Sequence, residues 1–123
     1  FNANYKHAKN VCQEIIDRKV DITWKAQLRA KPLTDELAEL MAKAGCWYVH
    51  LGIETANPET LIGIKKGITV DDALRACEIL PRHYIKVMGL FMLYNVWEEG
   101  GELRYETPDM VQKTLNFGNT LIN

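Results

Sequence analysis

The sequence predicts an α/β fold assembled from parallel βα units, a segment of a larger TIM-like barrel or doubly wound sheet. Three features of the 123 residues lead there. Four segments repeat apolar residues at helical spacing, three short apolar runs separate them, and the pattern renews itself about every thirty residues. Strands alternating with helices through short loops make right-handed crossovers and a parallel sheet. Such a sheet needs cover on both faces, and three or four strands cannot close a barrel, so the chain reads as part of a longer polypeptide.

The first helix is expected from Ala8 to Lys19, where Val11, Cys12, Ile15 and Ile16 share one face opposite the charges. The first strand follows at Asp21 to Leu28. After Pro32, Thr34 is an N-cap for a second helix over Leu37 to Cys46, which Gly45 helps to stop. The second strand is Trp47 to Ile53. Asn57 then caps a short helix that has Pro58 at its first position. Thr69 and Asp72 form a capping box for a third long helix, Ala73 to Leu80, with Pro81 ending it. The third strand is Ile85 to Tyr94. A fourth helix begins at Thr107-Pro108-Asp109 and carries Val111, Leu115 and Phe117.

Composition narrows the function classes. Apolar residues at 47% and charged residues at 25% exclude a disordered tail, a collagen-like repeat and a coiled coil. Fifteen basic and sixteen acidic residues leave a net charge of -1, so no bulk field draws the chain to nucleic acid or an anionic membrane. The longest apolar run, Val87 to Tyr94, is far short of the roughly 18 residues of a membrane span, and the chain reads as soluble. It opens on Phe1-Asn2-Ala3-Asn4, with neither an initiator Met nor an apolar leader, again as an excised piece would. Cys12, Cys46 and Cys77 form no CxxC pair and read as reduced cytoplasmic thiols on helices.

The period of two divides each strand into faces. Thr23, Lys25, Gln27 and Arg29, then Tyr48, His50, Gly52 and Glu54, then Lys86, Met88, Leu90, Met92 and Tyr94 share one side. The opposite side is apolar and should take the helices. Desolvating Lys, His and Glu without partners costs a few kcal/mol per group, so the polar side implies water or a ligand.

In βα folds the loops after the strands form the active rim. Glu54 stands there, a carboxylate able to hold sugar hydroxyls or an ammonium group, or simply to pair with Lys25 or Arg29. The Lys65-Lys66-Gly67 turn could touch a phosphate or carboxylate but reads rather as solvated, His50 could be a base but reads as hydrogen-bonded lining, and Glu98 to Glu102 suggests a divalent cation site less than a solvated loop. Met88 and Met92 with Phe91 read as core packing, or as a surface for an adenine ring. Gly89 offers close backbone approach there, or room for a helix.

These residues carry a resemblance. Trp24-Lys25-Ala26-Gln27-Leu28-Arg29-Ala30, Leu33-Thr34-Asp35-Glu36-Leu37, Ala44-Gly45-Cys46, Gly52-Ile53-Glu54-Thr55, and Leu61 with Ile64-Lys65-Lys66-Gly67-Ile68-Thr69 together resemble the central barrel of radical SAM enzymes. The nearest likeness is to Fe-S oxidoreductases that often carry a cobalamin-binding domain. The resemblance spans nearly the whole chain, from the helix after the family's second strand to the helix after its fifth. It implies residues 1–123 of a partial (β/α)6 barrel whose N-terminal, cluster-binding portion lies elsewhere. It also implies a [4Fe-4S] cluster on a CxxxCxxC loop, and S-adenosylmethionine reductively cleaved to start radical chemistry on an unknown small molecule. By the same resemblance, Glu54 and Thr55 match the strand end beside the SAM site and Arg29 matches a basic or polar strand end. Gly89, Met92 and Tyr94 fall on the strand that passes near the adenine.

The CxxxCxxC loop is absent and the three cysteines have the wrong spacing for it. A Gly-x-Pro-Gly-Glu-Thr turn usual after the family's fifth strand is replaced by Tyr94-Asn95-Val96-Trp97 and an acidic loop ending in Glu106-Thr107-Pro108. The expectation is therefore a cytoplasmic enzyme segment that is inactive and cofactor-free alone, completed by the rest of its polypeptide and prone to oligomerise through open strand edges. The alternatives are another βα-barrel enzyme of lyase or aldolase type, or a non-catalytic α/β binding module.

Overall fold

The computed structural model describes residues 1–121, so the last two residues of the expected 1–123 range lie outside the described residues. Small polar side chains set the helix starts by accepting from first-turn N–H groups that have no partner within the helix. Asn4 accepts from His7 N at the head of α1 (Tyr5–Asp17). After β1 (Trp24–Arg29), Thr34 accepts from Leu37 N to start α2 (Asp35–Lys43). β2 (Cys46–Glu54) leads to α3 (Pro58–Gly63), where the outcome differs from expectation: Asn57 makes no side-chain cap, because its amide is drawn into a buried network described below. Thr69 and Asp72 close the reciprocal capping box of α4 (Val70–Arg82).

Pro81 does not end α4 but sits inside its last turn. A proline there forfeits one hydrogen bond while its fixed φ still suits a helix. The stop comes at Tyr84, whose backbone is left-handed (φ 60°) while Ile85 N bonds back to Leu80 O. β3 (Lys86–Phe91) follows, then β4 (Val96–Glu99), β5 (Glu102–Tyr105) and α5 (Pro108–Thr120), the last capped by Thr107.

Three parallel strands pair in the order β1-β2-β3, with β2 central. Their alternation follows the sequence expectation: Val49, Leu51 and Ile53 of β2 are buried, while Tyr48, His50, Gly52 and Glu54 face the other way and stay partly open. The buried side meets Leu37 and Met41 of α2, Leu80 of α4 and Ile85 in one apolar cluster. Each such side chain contributes about 2 kcal/mol by leaving water. The polar side opens to a cleft among the described residues, none of whose helices is long and apolar enough to cross a membrane.

Three further expectations are corrected. Cys46 opens β2 instead of closing a helix, because Gly45 (φ 93°) has already turned the chain. Met88 and Met92 are nearly half exposed on the open face, whereas Phe91 points oppositely and meets Phe117 edge-on, so they form no common core stripe. The acidic stretch is not a loop but a two-stranded antiparallel hairpin, β4-β5. Gly100 and Gly101 form its turn with φ of 62° and 83°, the left-handed pair that a tight hairpin requires. The hairpin is fastened by Trp97, whose indole lies where a Cβ on Gly63 would stand.

Candidate functional site

The parallel register stacks the open face in rows. Lys25, Tyr48 and Lys86 form the lowest, Gln27, His50 and Met88 the next, and Arg29, Gly52 and Leu90 the third. At the bottom, the Lys25 ammonium lies 4.9 Å from the Trp47 ring centroid and 5.2 Å from that of Tyr48, and Tyr48 packs edge-on to His50. A cleft lined by Gln27, Arg29, His50, Gly52, Glu54, Lys66 and Leu90 opens at the upper rim.

Glu54 caps this rim through a backbone irregularity. The β2–β3 register skips a residue between Gly52 and Glu54, a bulge that re-aims the side chain. Glu54 itself is left-handed (φ 71°), a conformation that costs a non-glycine residue about 1–2 kcal/mol. Met92 N holds it there by donating to Glu54 O at 2.7 Å. Strain of this kind persists where the surroundings over-determine it, most often at functional sites.

The partner of Glu54 is neither Lys25 nor Arg29 but Lys66, from the turn expected to be solvated. The two side chains are only 13% and 23% exposed and meet above Gly52, where a Cβ would lie 3.0 Å from both Glu54 Oε1 and Lys66 Nζ. The Arg29 guanidinium donates to the Lys66 carbonyl, latching the turn to β1. Asn2, fully buried, holds Arg29 in turn: Arg29 N donates to Asn2 Oδ1 and Asn2 Nδ2 donates to Arg29 O, both at 2.9 Å. The sequence offers Lys66 as a carboxylate contact without pointing to Glu54 as its partner, and it gives no signal for Asn2, which meets Arg29 across 27 residues of chain.

The other expected positions divide. Arg29 and Glu54 line the cleft together, Met92 meets Glu54 through its backbone N, and Tyr94, also left-handed (φ 59°), stands exposed just beyond β3. Gly89 faces the helix-covered side, where a Cβ would lie 3.0 Å from Ile53 and 3.3 Å from Phe91. Thr55 is wholly buried and turned away from the cleft.

Thr55 belongs to a second polar cluster, centred on Glu106. Its hydroxyl donates to Glu106 Oε1 at 2.6 Å, while Asn95 N and Nδ2 donate to Oε2 at 3.0 and 2.9 Å. Asn57 Nδ2 donates to Met110 O at 2.9 Å and reaches Glu106 as well, and Ala56 N donates to Thr114 Oγ1 at 3.1 Å. Burial pushes the Glu106 carboxyl upward, but the donors from Thr55, Asn95 and Asn57 together outweigh it and hold the group below its ordinary 4.5. This cluster ties the exits of β2 and β3 to the hairpin base and α5.

Among the described residues, no three His, Cys, Asp or Glu side chains are placed to hold a metal ion. Burial pushes the Cys12 and Cys46 thiols up to about 11, the opposite of what thiolate ligands need. The upper rim offers a carboxylate, two cations and an apolar wall.

Comparison with known proteins agrees with this architecture. The chain is 29% identical over 121 residues to an uncharacterized methyltransferase of Pyrococcus horikoshii, covering 98% of this chain and 25% of that protein. It is 34% identical over 73 residues to the tryptophan 2-C-methyltransferase of Streptomyces laurentii, covering 53% of this chain and 12% of that protein. The fold superimposes with a TM-score of 0.84, at 28% identity, on TsrM from Kitasatospora setae, a radical S-adenosylmethionine methyltransferase solved with cobalamin and a [4Fe-4S] cluster. That match covers 99% of this chain and 24% of TsrM. The cobalamin-dependent radical enzyme OxsB shares the fold at 18% identity and a TM-score of 0.69, over 91% of this chain and 16% of OxsB. This chain thus spans about a quarter of the length of the relatives it matches most fully. A model of the radical SAM superfamily matches residues 3–116, which leaves the lyase and binding-module alternatives without support: the chain belongs to the radical SAM superfamily.

Proposed function

We propose that this chain is the nucleoside-receiving part of a radical SAM methyltransferase, in which the rim at Glu54 takes the ribose hydroxyls of S-adenosylmethionine. The observation that carries the reading is the strained, bulged Glu54 over Gly52, aimed into the open cleft and already neutralised by Lys66. A carboxylate offers about four lone-pair sites, so one ammonium leaves acceptors free for neutral hydroxyls. The exposed side chains of Leu90 and Met92 beside it give a flat apolar surface for a base.

In the full-length protein, a [4Fe-4S] cluster and cobalamin would supply electron-transfer and methyl-carrying chemistry to S-adenosylmethionine held at this rim. The support for both groups is their presence in TsrM. The residues described here bind and orient the nucleoside; they provide no cluster ligands. The same reading makes the isolated segment inactive, and the open edges of β1 and β3 make it self-associate, as light scattering over a range of concentrations will show.

The deciding experiment is calorimetric titration of the full-length protein with S-adenosylmethionine. Glu54→Gln weakens binding about tenfold or more, the effect of one hydrogen bond to a charged group. Unchanged affinity in that variant overturns the reading.

A further inference from the structure

The Lys66–Glu54 pair has a consequence for which ligands the rim accepts. A bare carboxylate at a strand end is as good a partner for an ammonium as for a sugar. Here the carboxylate is not bare. Lys66 reaches it from a turn whose own backbone is set by two left-handed residues, Lys65 (φ 54°) and Gly67 (φ 70°). Arg29 fixes that turn by donating to the Lys66 carbonyl, and a Cβ on Gly67 would lie 3.3 Å from the Arg29 guanidinium. Two cations and one anion thus share the rim.

We propose that Lys66 is the specificity-determining residue of the open face: as the resident counter-cation of Glu54 above Gly52, it makes the carboxylate an acceptor for a neutral diol and turns away a cationic group. The inference rests on the nucleoside reading above and deepens it. With Lys66 in place, a ligand ammonium meets a local surplus of positive charge in a partly buried setting, where like charges repel more strongly than in bulk water. A hydroxyl meets no such barrier and still finds the unshared lone pairs of Glu54. Without Lys66, Glu54 becomes an unpaired carboxylate in the cleft, and a cation is its best partner.

The test is a binding series on the full-length protein with adenosine, 2′-deoxyadenosine and 3′-amino-3′-deoxyadenosine. It is run near pH ~6.5, below the roughly 8 at which an α-amino type group loses its proton. The wild-type protein prefers adenosine to both analogues, by about tenfold over the amino compound. Lys66→Met reverses that order, with the amino analogue binding tighter than adenosine, and Lys66→Gln shifts the ratio the same way. Equal weakening of all three ligands, in both variants, makes Lys66 merely structural and overturns the proposal. So does a ratio that does not move. Glu54→Gln separates the two layers: if it leaves adenosine binding unchanged, the nucleoside reading itself fails. If it weakens adenosine while the Lys66 variants keep the wild-type order, only the role of Lys66 fails.

Discussion

Glu54 and Glu106 both follow extended segments, one at the end of β2 and the other just past β5, yet their surroundings are opposites. Glu106 is 2% exposed and, among the described residues, accepts from the neutral donors of Thr55, Asn57 and Asn95. Glu54 has a cation partner, a strained backbone and an open cleft in front of it. A buried charge whose acceptor sites are filled by the protein's own donors holds the fold together. A charge with acceptor capacity left over, in a conformation the chain does not favour, is reserved for something else.

The sharpest way to break this contrast is Glu106→Ala. It strands the Asn95 and Thr55 donors, each worth about 1–3 kcal/mol when unsatisfied, so the expected loss is about 3 kcal/mol or more, read from the urea midpoint. A loss below about 1 kcal/mol would erase the distinction. Acid gives the next largest effect. The folded carboxyl of Glu106 titrates below its ordinary 4.5, so its stabilisation is complete above that value and is lost as pH falls through the lower, folded value. Stability therefore declines from about pH 4.5 downward, and Glu106→Gln removes that portion of the slope.

At the rim, Gly52→Ala places a methyl group 3.0 Å from both members of the ion pair. We expect it to weaken nucleoside binding severalfold while leaving stability within about 1 kcal/mol, because Lys66 is flexible enough to yield. The smallest effect is that of Glu54→Gln on stability, about 1 kcal/mol, because the glutamine carbonyl still accepts from Lys66 at the mouth of an open cleft, against its large effect on binding. If the two carboxylates proved equally costly to remove, Glu54 would be structural too.

Much of the architecture was legible in the sequence because it is local. Thr34, Thr69 with Asp72, and Thr107 before Pro108 announce helix starts within three residues, and the alternation along β2 fixes which side Glu54 faces. The hairpin was locally legible too: Gly100-Gly101 between Val96-Trp97 and Leu103-Tyr105 is a turn signal, which the density of glutamates disguised. The Glu106 cluster was out of reach, since Thr55 and Asn57 meet it across about fifty residues of chain. Lys66 fell between these cases, twelve residues from Glu54 and beyond any helical or strand period.

The seat of Trp97 over Gly63 reaches past this single chain. No side chain fits beneath that indole, so position 63 is free to vary only where the hairpin is missing or lacks its tryptophan. Across the superfamily, the two residues should be gained and lost together, and a glycine at the end of α3 becomes a marker, readable from sequence alone, for members that carry this arm.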